Sequence, residues 1–264
     1  MFKFKSGWAS LVSMAVAAGM LPMAASASQV ASDSFAYPTG SILGDNGGSG
    51  WSGAWTGSSN NVTAPGFTYS DGAHSEPVAG NRLNLSNANG GNFRGVSAPV
   101  TTGTLYLSYI GSVPDNSSYA GVSLFSGGGG GSENLFIGRT GQSGGTPQNW
   151  GIDAKNGPVS NSAISAGVQS LLVARVDFGT ASDRIRLYVN PSLSAEPAAA
   201  DVDVTNNAHF TWDTVRIQSG GANYNVDELR IGTTYADVAG VPEPATMGLL
   251  GLAGLGLLVR RRRA

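Results

Sequence analysis

Leu171-Leu172-Val173-Ala174-Arg175-Val176-Asp177-Phe178 and, after five residues, Arg184-Ile185-Arg186-Leu187-Tyr188-Val189 are the stretches whose reading decides the fold. Side chains alternate across a strand with a period of two. In the first stretch Leu172, Ala174, Val176 and Phe178 therefore share one face, and Leu171, Val173, Arg175 and Asp177 the other. A strand apolar on both faces suits the interior of a sheet covered on both sides. The second stretch puts Ile185, Leu187 and Val189 inward and Arg184, Arg186 and Tyr188 outward. The intervening Gly179-Thr180-Ala181-Ser182-Asp183 reads as a hairpin turn, and Asn190-Pro191 stops the second strand.

Working outward, the same period recurs. Leu83 and Leu85 share a face, as do Leu105, Leu107 and Tyr109, and Ala120, Val122 and Leu124. Strands are predicted at 33–37 (an edge strand), 82–85, 105–110, 119–125, 135–137, 212–218 and 226–231. The five glycines 127–131 are expected to form a flexible loop, and 191–208 a loop with Pro197 at its centre. In the last strand Asp227 falls on the face of Leu229 and Ile231 while Val226 does not. That break in parity predicts a β-bulge or a buried aspartate at Asp227. The tally is about eleven to thirteen short strands, and no segment carries a long amphipathic helical period. The chain between its two ends is all-β, a two-sheet antiparallel sandwich.

Composition narrows the function classes. The chain has 264 residues and 39 glycines, and the glycines fall between short apolar runs as turns do. Net charge is −2, yet Lys3, Lys5, Arg260, Arg261, Arg262 and Arg263 lie at the ends. Residues 28–240 hold nine basic and sixteen acidic residues, a net of −7, with Lys155 the single lysine. Such a segment lacks the basic footprint that nucleic acid or an anionic lipid surface requires. Cysteine is absent, which removes disulfides, thiolate metal sites and thiol nucleophiles.

Both ends carry addresses. Lys3 and Lys5 precede an apolar run from 8 to 21, and Ala25-Ser26-Ala27 is a small-x-small cleavage site, so residues 1–27 read as a signal peptide. Residues 241–264 read Val241-Pro242-Glu243-Pro244, an uncharged apolar run over 245–259, and then Arg260-Arg261-Arg262-Arg263. As a helix at about 1.5 Å per residue the run reaches roughly 22 Å, short of a ~30 Å hydrocarbon core. The arginines would stay on the cytoplasmic side. This tripartite tail resembles the PEP-CTERM sorting signal of Gram-negative bacteria. The resemblance implies an exosortase and the general export machinery as partners, and transient anchoring in the inner membrane through the tail. It also implies release or transfer to the cell surface or an exopolysaccharide matrix.

The strands at 172–178, 183–191 and 226–232 resemble bacterial concanavalin A-like (laminin G-like) jelly-roll domains, which implies that fold over 28–240. That fold carries lectins and glycanases alike, so function has to be argued from sites. Jelly-roll glycanases place two carboxylates on one strand face, as Glu-x-Asp-x-Glu does. Here Glu76, Glu133, Glu196 and Glu228 are far apart, and adjacent Asp227 and Glu228 point oppositely on a regular strand. His74 and His209 stand alone, and no Gly-x-Ser-x-Gly elbow occurs. The chain reads as a non-enzyme, with a lectin-like module as the alternative and a glycan hydrolase, its carboxylates assembled across strands, as a lesser one. Trp51, Trp55, Tyr119, Trp150 and Tyr224 lie in or beside Gly/Asn-rich stretches and are candidates to stack on sugar rings, although aromatics in sandwiches are more often core. No cofactor is expected. The one metal considered is calcium, which hard oxygen ligands suit: Asp201 and Asp203 on one side of an extended segment, Asp227, and Asp33, Asp45 and Asn46 are the candidates.

Overall fold

The computed structural model describes residues 29–239 apart from 87–89, 116 and 142–147. In chain order the described strands are β1 (Gln29–Asp33), β2 (Gly40–Ser41), β3 (Thr56–Gly57), β4 (Asn61–Thr63), β5 (Arg82–Leu85) and β6 (Gly91–Gly95). There follow β7 (Gly103–Ser112), β8 (Ala120–Ser126), β9 (Ser132–Arg139), β10 (Asn149–Ala154) and β11 (Val159–Ser165). The series closes with β12 (Ser170–Phe178), β13 (Asp183–Val189), β14 (Val202–Asn206), β15 (Thr214–Ser219), β16 (Tyr224–Gly232) and the helix α1 (Tyr235–Val238).

These strands form two antiparallel sheets packed as a jelly-roll sandwich. The first runs β14-β13-β12-β7-β16-β5-β4-β2, with β1 also on β16; the second runs β11-β10-β9-β8-β15-β6-β3. The hairpin is as expected: Leu172 pairs with Val189 and Asp177 with Arg184. Leu172, Ala174, Val176, Ile185, Leu187 and Val189 join the main core between the sheets, with Leu105, Leu107 and Tyr109 from β7. Val122, Leu124, Ile137, Trp150, Ile152, Val215 and Ile217 answer them from the second sheet.

The other face of β12 is covered too. Leu171, Val173 and Tyr188 pack with Tyr106, Leu193, Tyr235 and Val238 in a second apolar cluster. Tyr188 points away from the main core, as expected, yet is buried because the chain after Asn190 folds back over it. Glu196 fastens that cover, accepting from Tyr106 Oη and Tyr188 Oη, each at 2.6 Å, and from Arg175 Nη1. A carboxylate gripped by two hydroxyls and a guanidinium is a strong tie.

Four expectations need correction. The first strand covers Gln29–Asp33 rather than 33–37, because Phe35 takes a left-handed conformation (φ 49°) that ends it. The five glycines are not a free loop: Gly128–Gly130 form a 3₁₀ turn, and Asp213 accepts from the backbone N–H groups of Gly127 and Gly128. The 191–208 stretch contains β14, whose Val202 and Val204 are buried. The β9 strand is also longer than the three residues expected, since Ser132 and Glu133 extend its pairing with β8. The parity break at Asp227 is a bulge: β16 shifts register against β7 between Asp227 and Arg230, and Glu228 has φ 50°. The N-terminal segment and the C-terminal tail lie outside the described residues. Among the described residues no helix is long and apolar enough to cross a membrane.

Candidate functional site

The outer face of the second sheet carries the candidate site. Alternation that turns Val122, Ile137, Ile152 and Ile217 inward turns Gly121, Gly138, Gly151 and Gln218 outward. These four stand in one row across the strands, Gln218 opposite Gly121, Gly121 opposite Gly138, and Gly138 opposite Gly151. A Cβ at Gly121 would come within 2.3 Å of the Ile137 carbonyl oxygen and 2.8 Å of the Phe136 ring. The three glycines are buried, the Phe136 ring lying over Gly121 and the Asn161 side chain over Gly151. Arg216, Ser123, Phe136 and Asp153 stand in the neighbouring row.

On this face Glu133, Phe136, Asp153, Arg216 and Gln218, with Tyr119, line a groove of about 310 Å³. At its edge Tyr119 meets Phe136 edge-to-face, with ring centroids 6.2 Å apart. Gln218 Nε2 donates to Tyr119 Oη at 3.0 Å, while Gln218 Oε1 has no partner among the described residues. Arg216 pairs with Glu133, its guanidinium lies 4.4 Å from the centroid of the Phe125 ring, and Ser123 Oγ donates to Glu133 Oε2 at 2.7 Å. Burial lowers the Arg216 pKa against the pull of Glu133. Asp153 differs: half-buried, it accepts no hydrogen bond and forms no ion pair among the described residues, and burial alone raises its carboxyl pKa. Glu133 and Asp153 do share this groove. On the strands their Cα positions are roughly 11 Å apart, from three residues along and one strand across, and Glu133 is committed to Arg216 and Ser123. Of the two carboxylates, Asp153 is therefore the one without a partner among the described residues.

Of the sequence-selected aromatics Tyr119 lines this groove, and the others fall elsewhere, with Tyr224 buried in the core. Trp55 and Trp150 are buried in the main core and present no face to a sugar, which corrects their candidacy. Trp51 is partly buried, donating from Nε1 to the Ser32 carbonyl at 2.9 Å. Beside it lies a buried cage: Arg94 stands 5.0 Å from the Trp51 ring and 5.5 Å from Trp55. Arg94 donates to Asp33, Tyr37 Oη, Asn46 Oδ1 and the carbonyls of Gly47 and Gly53. The oxygens of Asp33 and Asn46 thus receive a guanidinium.

Asp45 stands near that cage, where burial and the Asp33 charge raise its carboxyl pKa, while Asp201, Asp203 and Asp227 are spread and occupied. Asp201 accepts from Val189 N–H at 2.8 Å, and Asp203 pairs with Arg184. Asp227 is four strands from β14, roughly 19 Å at sheet spacing. Its Oδ2 accepts from Phe67 N–H at 2.7 Å and its Oδ1 from Glu228 N–H at 2.8 Å. Burial nevertheless pushes its pKa up to about 8. Asp201, Asp203 and Asp227 do not fit a shared calcium ion, and among the described residues no group of three or more His, Asp or Glu is gathered for a metal. His74 and His209 each face one carboxylate, Asp71 and Asp183.

A second cleft, of about 410 Å³, opens beside the bulge. There Arg230 is clasped by Glu76 and Glu228, and Glu228 also accepts from Ala79 N–H. Burial outweighs the attraction of Arg230 and lifts Glu76 to about 7. Arg94 and Asp153 escaped sequence reasoning, because the partners that give each its meaning, or the lack of them, are set by the fold; Arg230, a candidate partner for Asp227, pairs with Glu76 and Glu228 instead. The cross-strand glycine row was in principle signalled by single glycines inside otherwise regular strands.

Comparison with known proteins locates the chain at one end. Residues 240–263 match the PEP-CTERM protein-sorting motif, at the end of a chain whose described residues form a β-sandwich. No curated protein sequence matches. Among solved structures, the receptor-binding domain of botulinum neurotoxin mosaic serotype C/D aligns at 7% identity and TM-score 0.45, over 80% of this chain. The chain spans 49% of that domain, about half its length. Domain 4 of a GH43 extracellular arabinanase from Geobacillus stearothermophilus, in complex with arabinotriose, aligns at 18% identity and TM-score 0.40, covering 81% of this chain and 97% of that one. The CBM22-1 xylan-binding domain of Paenibacillus barcinonensis Xyn10C aligns at 13% identity and TM-score 0.36, over 79% and 97%.

Proposed function

We propose that the protein is a non-catalytic component of the cell surface or extracellular matrix of an exopolysaccharide-producing, Gram-negative cell. The general export machinery would recognise its N-terminal signal, and an exosortase would process its tail. Before processing it would touch the membrane through residues 241–264 alone. Its sandwich would hold a polysaccharide strand in the groove on the second sheet, as a carbohydrate-binding module does.

One observation supports the groove reading above others: the Tyr119 ring, the Gln218 side chain and the unpaired carboxylate of Asp153 line one open groove. An extended glycan needs a shallow slot, a ring face and amide or carboxylate hydrogen-bond partners. Glu133 and Asp153 keep the hydrolase reading testable, but one of them is neutralised and the slot is open. The test is a glycan array on the exported protein, with and without calcium. Binding lost in Tyr119→Ala at unchanged melting temperature supports the reading. No binding to any glycan removes the groove's role and leaves the sorting role standing. Reducing-sugar release from a bound glycan would overturn the non-catalytic assignment.

A further inference from the structure

Among the described residues Asp153 is the one carboxylate in the groove without a counter-charge. Arg216, the groove's cation, is already matched to Glu133 and held against the Phe125 ring. Lys155, two residues on in the turn after β10, makes no ion pair with Asp153, and no charged group contributes to the shift of its carboxyl. Of the residues outside the described set, 87–89, 116 and 142–147 include no charged residue, and the cations Lys3, Lys5 and Arg260 to Arg263 belong to the two end segments. The groove therefore keeps one net negative charge, in a domain whose own balance is −7.

A half-buried carboxylate facing a ligand slot selects by charge. An acidic glycan would bring a like charge to it, which is unfavourable. A neutral glycan would supply hydroxyl hydrogen bonds. A protonated primary amine would supply a charge-assisted bond to Asp153 and would also sit within reach of the Tyr119 and Phe136 rings. Resting on the reading of this groove as a glycan slot, we propose that its ligand is a polysaccharide bearing free amino groups, that is, hexosamine units without N-acetyl groups, with Asp153 binding the ammonium.

The experiment measures binding of the exported protein to hexamers of glucosamine, N-acetylglucosamine and galacturonic acid, and to hexalysine, by titration calorimetry at low salt. The expected result is at least a tenfold preference for the glucosamine hexamer over its N-acetylated form, with no binding of the acidic hexamer. Asp153→Asn should reduce glucosamine binding to the N-acetylated level at unchanged melting temperature, and Asp153→Glu should restore part of it. Equal binding of the N-acetylated hexamer would overturn the ammonium assignment while leaving the glycan groove intact. Hexalysine binding as tightly as the glucosamine hexamer would overturn it as well, because cation capture would then not involve the sugar. Absence of binding by every oligomer would remove both the assignment and the groove reading beneath it.

Discussion

Arg94, on β6, and Asp33, at the end of β1, form an ion pair inside the sandwich, with the two side chains 1% and 2% exposed. Asp33 also accepts from Tyr37 Oη at 2.7 Å, Trp55 Nε1 at 2.8 Å and Phe35 N–H at 2.9 Å. Burial is the largest influence on its carboxyl and raises its pKa despite these four donors. The pair joins the 34–55 segment to the second sheet, for Arg94 reaches carbonyls on both sides of that segment. Removing one member leaves the other as an uncompensated buried charge, which costs about 3–5 kcal/mol. Arg94→Met should thus lower the unfolding free energy by that order in urea denaturation. Adding Asp33→Asn to it should cost much less than the sum of the single changes. Additive losses would mean that the two residues act separately.

Val176 is the centre of the β12–β13 hairpin, opposite Ile185 on one side and Leu105 on the other, and is 2% exposed. Val176→Asp would bury a carboxylate without a partner, at a cost of several kcal/mol. A circular-dichroism melting temperature at least 10 °C lower is expected, or failure to accumulate. An unchanged melt would remove this strand from the core.

Strand alternation is a local signal, and wherever it was clean the sequence was enough. Leu171 to Val189 specified a hairpin with two buried faces, and the out-of-step Val226–Asp227 pair marked the bulge. What escaped depends on contacts between distant residues. Arg94 looks like any outward arginine until Asp33, Asn46, Trp51 and Trp55 surround it. Trp55 and Trp150 stand in loop-like, glycine-rich contexts, and only packing shows that their rings fill the core. The groove was hidden for a related reason: Phe136, Asp153 and Arg216 lie on three different strands, and only strand register brings them together. Asp153 is informative because partners are missing, and sequence cannot display a missing partner.

The sorting reading predicts a particular mature mass. The motif spans 240–263, and Ala25-Ser26-Ala27 precedes the described domain. Intact mass of the exported protein should lack about the first 27 residues and should lack Arg260, Arg261, Arg262 and Arg263. Replacing those four arginines by alanine should leave the protein unprocessed at its C-terminus, since the charge cluster that holds the tail on the cytoplasmic side is gone. A surface-located mature species that still carries the four arginines would end this reading.

Asp227 gives the last test, and here pH separates the alternatives. The side chain is fully buried, and its carboxyl is raised to about 8 because burial outweighs the backbone N–H groups of Phe67 and Glu228. An unfolded aspartate titrates near 3.9. Between about pH 4 and pH 8 the folded state therefore binds more protons at this position than the unfolded state. Stability falls as pH rises through that window and levels off above it. Glu76, raised to about 7, adds a loss in the same direction over a narrower range. Asp227→Asn removes the first contribution and keeps the second. Its amide can accept only one of the two backbone bonds and sets an NH₂ against the other N–H, a local cost of about 1–3 kcal/mol. The variant should thus be less stable than wild type at pH 5, and the gap should shrink or reverse by pH 9. Calcium should move neither melting temperature, because both carboxylate oxygens already accept backbone N–H groups. A calcium-dependent rise in the wild type that Asp227→Asn lacks would instead assign a metal ion to this residue, and a gap independent of pH would show that Asp227 stays ionised in the folded protein.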